Sequence, residues 1–169
     1  MRYFALLAVI FLAGCSNKLP PDSLCPKTGF IDNADKIAYL GADPAKGAAV
    51  TATIEGFKGD CGYKDKEKKE VDLNLSLPFF AQKGAVDASL KEKELPYFIA
   101  VLSPDETILQ RQTFTTKISF DNDTSAGTTT EEHVIKIPLK KGEDGAYGYK
   151  VIIGFALTHD QLKYNEEHK

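Results

Sequence analysis

The sequence has no apolar run long enough to span a bilayer, few cysteines and no excess of basic charge. Its N-terminal apolar stretch, residues 3–13, has eleven residues, whereas about 20 are needed to cross the hydrocarbon core of a bilayer. Lys and Arg total 21 against 24 Asp and Glu, a formal net charge of −3. A permanent transmembrane helix in that stretch and a nucleic-acid partner are therefore both disfavoured.

The sequence also lacks the common catalytic motifs. It contains no Gly-Lys phosphate loop, no Gly-x-Ser-x-Gly elbow and no His-Glu-x-x-His pair. Its three histidines, His133, His159 and His168, are well separated along the chain. We predict a protein without catalytic activity or cofactor, in which His133 is a strand-end residue with a local hydrogen bond. No self-similarity at a period of 20–50 residues indicates a repeat protein.

The N-terminus has the features of an export signal. Arg2 precedes the apolar stretch, which ends in Leu12-Ala13-Gly14-Cys15. This order is typical of a bacterial lipobox, so we predict a signal peptide over residues 1–14 and acylation of Cys15; the alternative is a buried N-terminal helix or strand. The predicted partner is then the lipid bilayer, through acylated Cys15. In well-studied lipoproteins, an Asp directly after the acylated cysteine favours retention in the inner membrane. This chain has Ser16 at that position, so we predict that the protein lies on the outer membrane and faces the periplasm.

The two remaining cysteines predict a disulfide that pins the start of the domain to an interior strand. Cys25 and Cys61 have no third thiol or nearby histidine for a metal site, and disulfides persist in an oxidising compartment. Closing this 37-residue loop stabilises the domain by roughly 3.8 kcal/mol in the chain-entropy model. Residues 15–24, with Pro20-Pro21, are predicted to form a lipidated tether, and residues 25–169 a single domain.

Alternating apolar residues predict an all-β domain. The clearest strand has Val71, Leu73, Leu75 and Leu77 on one face. About seven such segments predict an Ig-like or fibronectin-like antiparallel β-sandwich. Thr158 and Gln161 predict a capping box and a short C-terminal helix, about residues 159–166.

Three further segments are assigned from local patterns. Residues 32–40 predict a short helical turn or a loop, and the glycines around Cys61 predict bends or bulges. Residues 147–157 predict one strand about 36 Å long. Tyr147 and Tyr149 would then share a core face, although they could instead form an aromatic binding surface.

One loop partly matches a calcium-binding template. Asp121, Asp123, Ser125 and Glu132 fall at template positions 1, 3, 5 and 12. Position 6, however, is Ala126 instead of the required glycine, so we predict an ordinary polar hairpin loop and no metal site. The charged run at residues 64–69 predicts a solvated turn, with contact to anionic headgroups or polysaccharide as the alternative.

Several segments together resemble a known group of proteins. They are Cys15 after a lipobox, Cys25-Pro26, Cys61 with Tyr63, the run 97–101 before Pro104-Asp105, and the segment from Leu157-Thr158 to Tyr164-Asn165. In this order and spacing the chain resembles small uncharacterised lipoproteins of alphaproteobacteria. The resemblance implies an address and a fold, and it supplies no catalytic residues.

These features predict a non-catalytic envelope interaction module that contacts an envelope protein. The alternative is a binding protein for a small ligand, a metal or a cell-wall glycan, which would require a concave pocket with convergent polar groups.

Acylation of Cys15 is directly testable. We expect metabolic labelling with an alkyne fatty acid to mark the wild-type protein and to be lost in Cys15→Ser, because the thiol is the acceptor. Cys25→Ala is the matched control and should keep the label. Mass spectrometry of the native protein that found an unmodified Cys15, or residues 1–14 still attached, would contradict the prediction.

Overall fold

The computed structural model describes residues 24–41, 47–64, 66–84, 89–121 and 124–168. The predicted signal peptide, Cys15 and the tether up to residue 23 lie outside this described part. Within it, no helix has the length and apolar character needed to cross a membrane. The elements are β1 (Lys27–Phe30), β2 (Lys36–Leu40), β3 (Ala48–Ile54), β4 (Lys58–Tyr63), β5 (Glu70–Lys83), β6 (Glu92–Leu102), β7 (Ile108–Ser119), β8 (Ala126–Pro138), β9 (Lys150–Phe155) and α1 (His159–Glu167).

The strands form two sheets around one apolar core. The four-stranded sheet has the order β1-β9-β6-β7. In the five-stranded sheet, β5 pairs with β8 along nearly its whole length and with β3 and β4 along its other edge, and β2 pairs with β3. Ladders are antiparallel except for the parallel pair of β1 and β9. The predicted all-β sandwich with a short C-terminal helix is confirmed, with nine strands where about seven were predicted.

β5 organises the core because buried and more exposed side chains alternate strictly over its whole length. Val71, Leu73, Leu75 and Leu77 are buried as predicted, and the same face continues through Phe79 and Ala81. Phe79 lies against Tyr97 of β6 and Phe155 of β9, with ring centroids 4.9 and 6.0 Å apart. A strand with one buried face and partners along both edges holds two sheets together at its centre.

Two segments predicted as turns or bends are strands. Residues 36–40 form β2, because antiparallel pairing with β3 buries Ile37 opposite Ala52. The segment around Cys61 forms β4, which pairs with β5 from Lys58 to Tyr63. In both cases pairing with a distant strand outweighs the local sequence preference.

The last strand is shorter than predicted. β9 begins at Lys150, and residues 147–148 form a turn before it. Tyr147 is therefore 55% exposed, whereas Tyr149 is 1% exposed and packs in the core. The prediction that both tyrosines share one face of a long strand was wrong, because the chain turns between them and the sheet.

The predicted disulfide is present. Cys25 and Cys61 are bonded, with Cα atoms 5.5 Å apart. Cys25 precedes β1 in the four-stranded sheet and Cys61 lies in β4 of the five-stranded sheet, so the bond links the two sheets. β4 pairs with β5 alone, so the start of the domain is pinned to an edge strand and not to the interior strand expected from the sequence.

Helix α1 is held by its cap and by one buried amide. The capping box of Thr158 and Gln161 is confirmed. On the face toward β2, Asn165 is 3% exposed, and its Nδ2 donates to the carbonyl oxygens of Asn33 and Lys36, both at 2.7 Å. A buried side-chain amide that satisfies two carbonyls fixes the helix in position, and nothing in the local sequence pattern indicates it.

Asn165 should contribute more to stability than its exposed neighbours. We expect Asn165→Ala to lower the free energy of unfolding by about 2 to 4 kcal/mol, because two buried carbonyls lose their donor. Glu166→Ala, at an exposed position of the same helix, is the control and should change it by less than about 0.5 kcal/mol. Denaturant unfolding curves measure both. Equal midpoints for the two variants would show that Asn165 does not hold the helix.

Candidate functional site

Each sheet ends in a long edge strand on the same flank of the sandwich. β7 is the last strand of the four-stranded sheet, and β8 pairs with β5 alone. A hairpin loop joins them, in which the Asp121 N–H donates to the Ala126 carbonyl at 2.9 Å. Beyond the loop the two strands diverge into different sheets, and no ladder joins them. We call the space between their inner faces the seam.

Alternation along the two strands decides which side chains line the seam. On β7, every second residue points inward, beside the buried residues of β6 with which β7 pairs. On β8, the inward residues lie beside the buried face of β5. The seam is thus lined by Gln110, Gln112, Phe114 and Thr116 from β7 and by Glu131, His133 and Ile135 from β8.

A histidine and a tyrosine link the two sheets across the seam. The His133 Nε2 and the Tyr97 hydroxyl oxygen are 2.7 Å apart, and the Tyr97 side chain is 1% exposed. Phe114 packs against both rings, with centroids 4.4 Å from His133 and 5.4 Å from Tyr97. The prediction of a strand-end histidine with a local hydrogen bond was wrong, because His133 lies inside β8 and its partner is 36 positions away.

A second polar pair crosses the seam two residues nearer the hairpin than Phe114 on β7 and His133 on β8. The Thr116 hydroxyl, 1% exposed, donates to Glu131 Oε1 at 2.6 Å. A short bond from a neutral hydroxyl to a carboxylate is charge-assisted and stronger than a neutral one. The two pairs together close the seam next to the hairpin.

Burial sets the protonation states of these groups. Desolvation raises the pKa of Tyr97 far above its ordinary value, and the nearby Glu131 carboxylate raises it further. Desolvation lowers the pKa of His133, while Glu131 and Glu132 act in the opposite direction and only partly offset it. Near neutral pH the pair is therefore a neutral imidazole and a neutral phenol. With its proton on Nδ1, the imidazole accepts the hydrogen bond from the Tyr97 hydroxyl.

The two pairs lie side by side along the seam, and each joins the two sheets. Glu131 and His133 are two residues apart on one face of β8, about 7 Å along the strand. Each is hydrogen-bonded across the seam to a different residue of the opposite sheet. The sequence indicated His133 alone, because its partners lie on distant strands and no local pattern connects them.

Further along the strands the seam opens into a cavity of about 200 Å³. Its inner wall is apolar, formed by Ile99, Val101 and Ile135. At its far end the Gln110 side-chain amide donates to the Lys136 carbonyl at 3.0 Å and closes the seam again. The complete lining is Ile99, Val101, Gln110, Gln112, Val134, Ile135 and Lys136.

The residues of the calcium template are spread over a loop and a strand. Asp121 and Ser125 lie in the hairpin loop, where the Ser125 N–H donates to the Asp121 carbonyl at 3.0 Å. Asp123 is outside the described residues. Glu132 lies in β8 opposite Ser76, about 20 Å along the strand from Ala126. In the described ranges, no three His, Cys, Asp or Glu side chains are grouped so that they could hold a metal ion.

The environment of His133 predicts a pH dependence of stability. Its folded pKa lies below the ordinary value of 6.5, so between these two values the unfolded chain binds the proton more readily. The contribution of His133 to the free energy of unfolding is therefore full above about pH 6.5 and is lost as the pH falls. We expect His133→Gln, measured by denaturant unfolding from pH 7.5 to 5, to reduce the slope of stability against pH in that window.

His159→Gln is the matched control, because His159 is exposed at the start of α1. It should keep the wild-type slope. If the wild type and His133→Gln lost stability in parallel below pH 6.5, His133 would not be the group that titrates.

Comparison with known proteins adds no relative for this site. No protein-family model matches the chain, and neither the curated proteins nor the solved structures give a significant match. The similarity to small lipoproteins of alphaproteobacteria therefore stays a prediction from motifs, and the roles of the seam residues rest on the geometry of this chain.

Proposed function

We propose that the protein is a lipid-anchored envelope lipoprotein whose sandwich is a non-catalytic interaction module. In this proposal the module binds an extended segment of an envelope protein along β7, and a side chain of that segment enters the seam cavity. The observation that carries the proposal is a long, open edge strand beside a cavity with an apolar inner wall. Strand addition needs both features, because the backbone edge provides affinity and the pocket provides specificity.

The anchor and the address rest on the N-terminal motif and the disulfide. Leu12-Ala13-Gly14-Cys15 has the order of a lipobox, and the Cys25–Cys61 bond is compatible with an oxidising compartment. We place the acylated protein in the cell envelope, on the outer membrane and facing the periplasm. The resemblance to small lipoproteins of alphaproteobacteria supports the same address.

β7 has one of the devices that protect edge strands, a shift of register against β6 at Leu109, but it lacks others. Natural edges are guarded by prolines, outward lysines or short length, whereas β7 has 12 residues and no proline. Its two basic side chains are engaged within the sheet, since Lys117 pairs with Glu92 at 2.7 Å and the Arg111 guanidinium lies 4.4 Å from the ring centre of Phe98. The backbone edge of β7 is therefore open to another strand.

The seam cavity has the size of a side-chain pocket, with an apolar inner wall and a mainly polar rim. An apolar cavity of about 150 Å³ accommodates benzene, so about 200 Å³ has room for a side chain as large as Phe. Ile99, Val101 and Ile135 form its apolar inner wall, and Gln112 stands at its β7 side. An added strand on β7 would place alternate side chains toward this opening.

The seam also favours a non-catalytic role. The imidazole and carboxylate on β8 are each engaged with a residue of the opposite sheet, and Tyr97 and Thr116 are almost fully buried. Neither group is presented to the cavity as a free base or nucleophile. A small apolar ligand in the cavity is the second candidate, favoured by the apolar inner wall.

Site-specific photocrosslinking in intact cells tests the proposal. We expect a photoreactive residue at Leu109, which is 44% exposed at the start of β7, to crosslink one envelope protein through a short extended segment. The photoreactive amino acid placed instead at position Lys58, on the opposite flank of the sandwich, is the positional control. Gln112→Phe should lower the yield at Leu109 about tenfold by filling the cavity, a loss of about 1.4 kcal/mol of binding.

Gln112→Asn is the matched variant, because it leaves the cavity open and should keep the wild-type yield. Thermal unfolding of both variants checks that the domain remains folded. Equal crosslinking at Leu109 and Lys58, or a yield unaffected by Gln112→Phe, would rule out strand addition at this flank. Saturable stabilisation by a small apolar compound without any crosslink would favour the second candidate.

A further inference from the structure

Two lysine-rich loops meet at the end of the sandwich where the chain enters the domain. The first joins β4 to β5 and the second joins β8 to β9. They enclose an open cleft of about 770 Å³, which we call the lysine cleft. Its cationic residues are Lys68 and Lys69 from the first loop and Lys140 and Lys141 from the second.

The carboxylates of the second loop are turned toward protein partners. Asp144 Oδ1 accepts hydrogen bonds from the Tyr63 hydroxyl at 3.1 Å and from Lys68 Nζ at 3.3 Å. Glu143 Oε2 accepts from the Tyr149 hydroxyl and from the Lys140 backbone N–H, both at 2.7 Å. These two carboxylates therefore have their hydrogen-bond donors within the domain.

The four lysines of the cleft differ in whether they have an ion-pair partner. Glu67 pairs with Lys69, and Asp144 pairs with Lys68. Lys140 and Lys141, by contrast, form no ion pair with a carboxylate of the described residues. Besides the hydrogen bond from Ser103, the charge of Lys140 helps to lower the pKa of Asp105, but Lys140 and Asp105 form no ion pair. Two exposed lysines without an ion-pair partner among the described residues thus line the cleft, and a phosphate group has the charge and the acceptors to bind them.

Two connections place the lysine cleft at the anchor end of the domain. The Ala146 N–H, in the second loop, donates to the Leu24 carbonyl at 2.9 Å. The disulfide joins Cys25 to Cys61 of β4, the strand that leads into the first loop. Cys15 precedes Leu24 by nine residues, which span at most about 32 Å, so an acylated Cys15 keeps this end close to the bilayer.

We propose that the lysine cleft binds the phosphate of an anionic phospholipid in the bilayer that holds the acylated Cys15. This inference rests on the proposed lipid anchor and adds an orientation to it. An acyl anchor combined with lysines near the surface is a recurring two-part mode of membrane attachment. The cleft then faces the membrane, and the seam extends away from it along β8.

Lysine footprinting of the acylated full-length protein tests this binding. The protein is reconstituted in vesicles of phosphatidylcholine alone or with about 30% phosphatidylglycerol, and amine acetylation rates are read residue by residue by mass spectrometry. We expect Lys140 and Lys141 to react about fivefold more slowly on the anionic vesicles. In 1 M salt, where the Debye length is about 3 Å, the difference should disappear.

Lys58 and Lys91 are internal controls, because both are exposed and lie away from the lysine cleft. Their rates should be the same on both vesicles. The variant K140E/K141E should abolish the slowing at Lys68 and Lys69, whereas the matched variant K58E/K91E should keep it. Inorganic phosphate added to phosphatidylcholine vesicles separates a free anion from a lipid headgroup and should give no protection.

Failure of this inference is distinguishable from failure of the anchor. Acylated protein on anionic vesicles with unchanged rates at Lys140 and Lys141 would overturn headgroup binding and leave the anchor standing. Protection by inorganic phosphate without protection by phosphatidylglycerol would also overturn it. A protein whose mass shows no acyl chain, and which does not associate with vesicles, would instead refute the proposed lipid anchor.

Discussion

The burial of one face of β5 is the constraint on which the structure depends. Its inner residues, from Val71 to Ala81, alternate without interruption and pack against the opposite sheet. Because β5 has strand partners along both edges, it sets the register of β3, β4 and β8 at once. A slip of one residue would move the whole apolar face to solvent, so the register is strongly specified.

The seam exists because the edge strands of the two sheets, β7 and β8, do not pair with each other. β7 and β8 belong to different sheets, and side chains, not a backbone ladder, join them. The pairs Tyr97–His133 and Thr116–Glu131 bridge the gap near the hairpin, and the Gln110–Lys136 contact bridges it at the other end. The uncovered part between these bridges is the cavity. An open edge strand and a pocket therefore arise from the same incomplete closure.

The C-terminal helix and the disulfide perform related tasks at two other places. Cys25–Cys61 links the start of the chain to the five-stranded sheet, and Asn165 links α1 to the backbone around β2. Both connections join segments far apart in sequence. The disulfide also keeps the point where the chain enters the domain beside the two lysine loops. In the proposed anchored state, the acyl chain and the lysine cleft would therefore both hold this end of the sandwich toward the bilayer.

The sequence by itself determined the elements whose signal is local: the alternation of β5, the capping box of Thr158 and Gln161, and the pairing of the only two cysteines left after Cys15. It did not determine β2 and β4, because their stability comes from pairing with distant strands, nor that the last strand begins only after Tyr149. Only the tertiary structure decided that His133 meets Tyr97, that Glu131 meets Thr116 and that the lysines of two loops share one cleft. These contacts join residues from separate strands and loops, and nothing in the chain near either partner encodes where the other will lie.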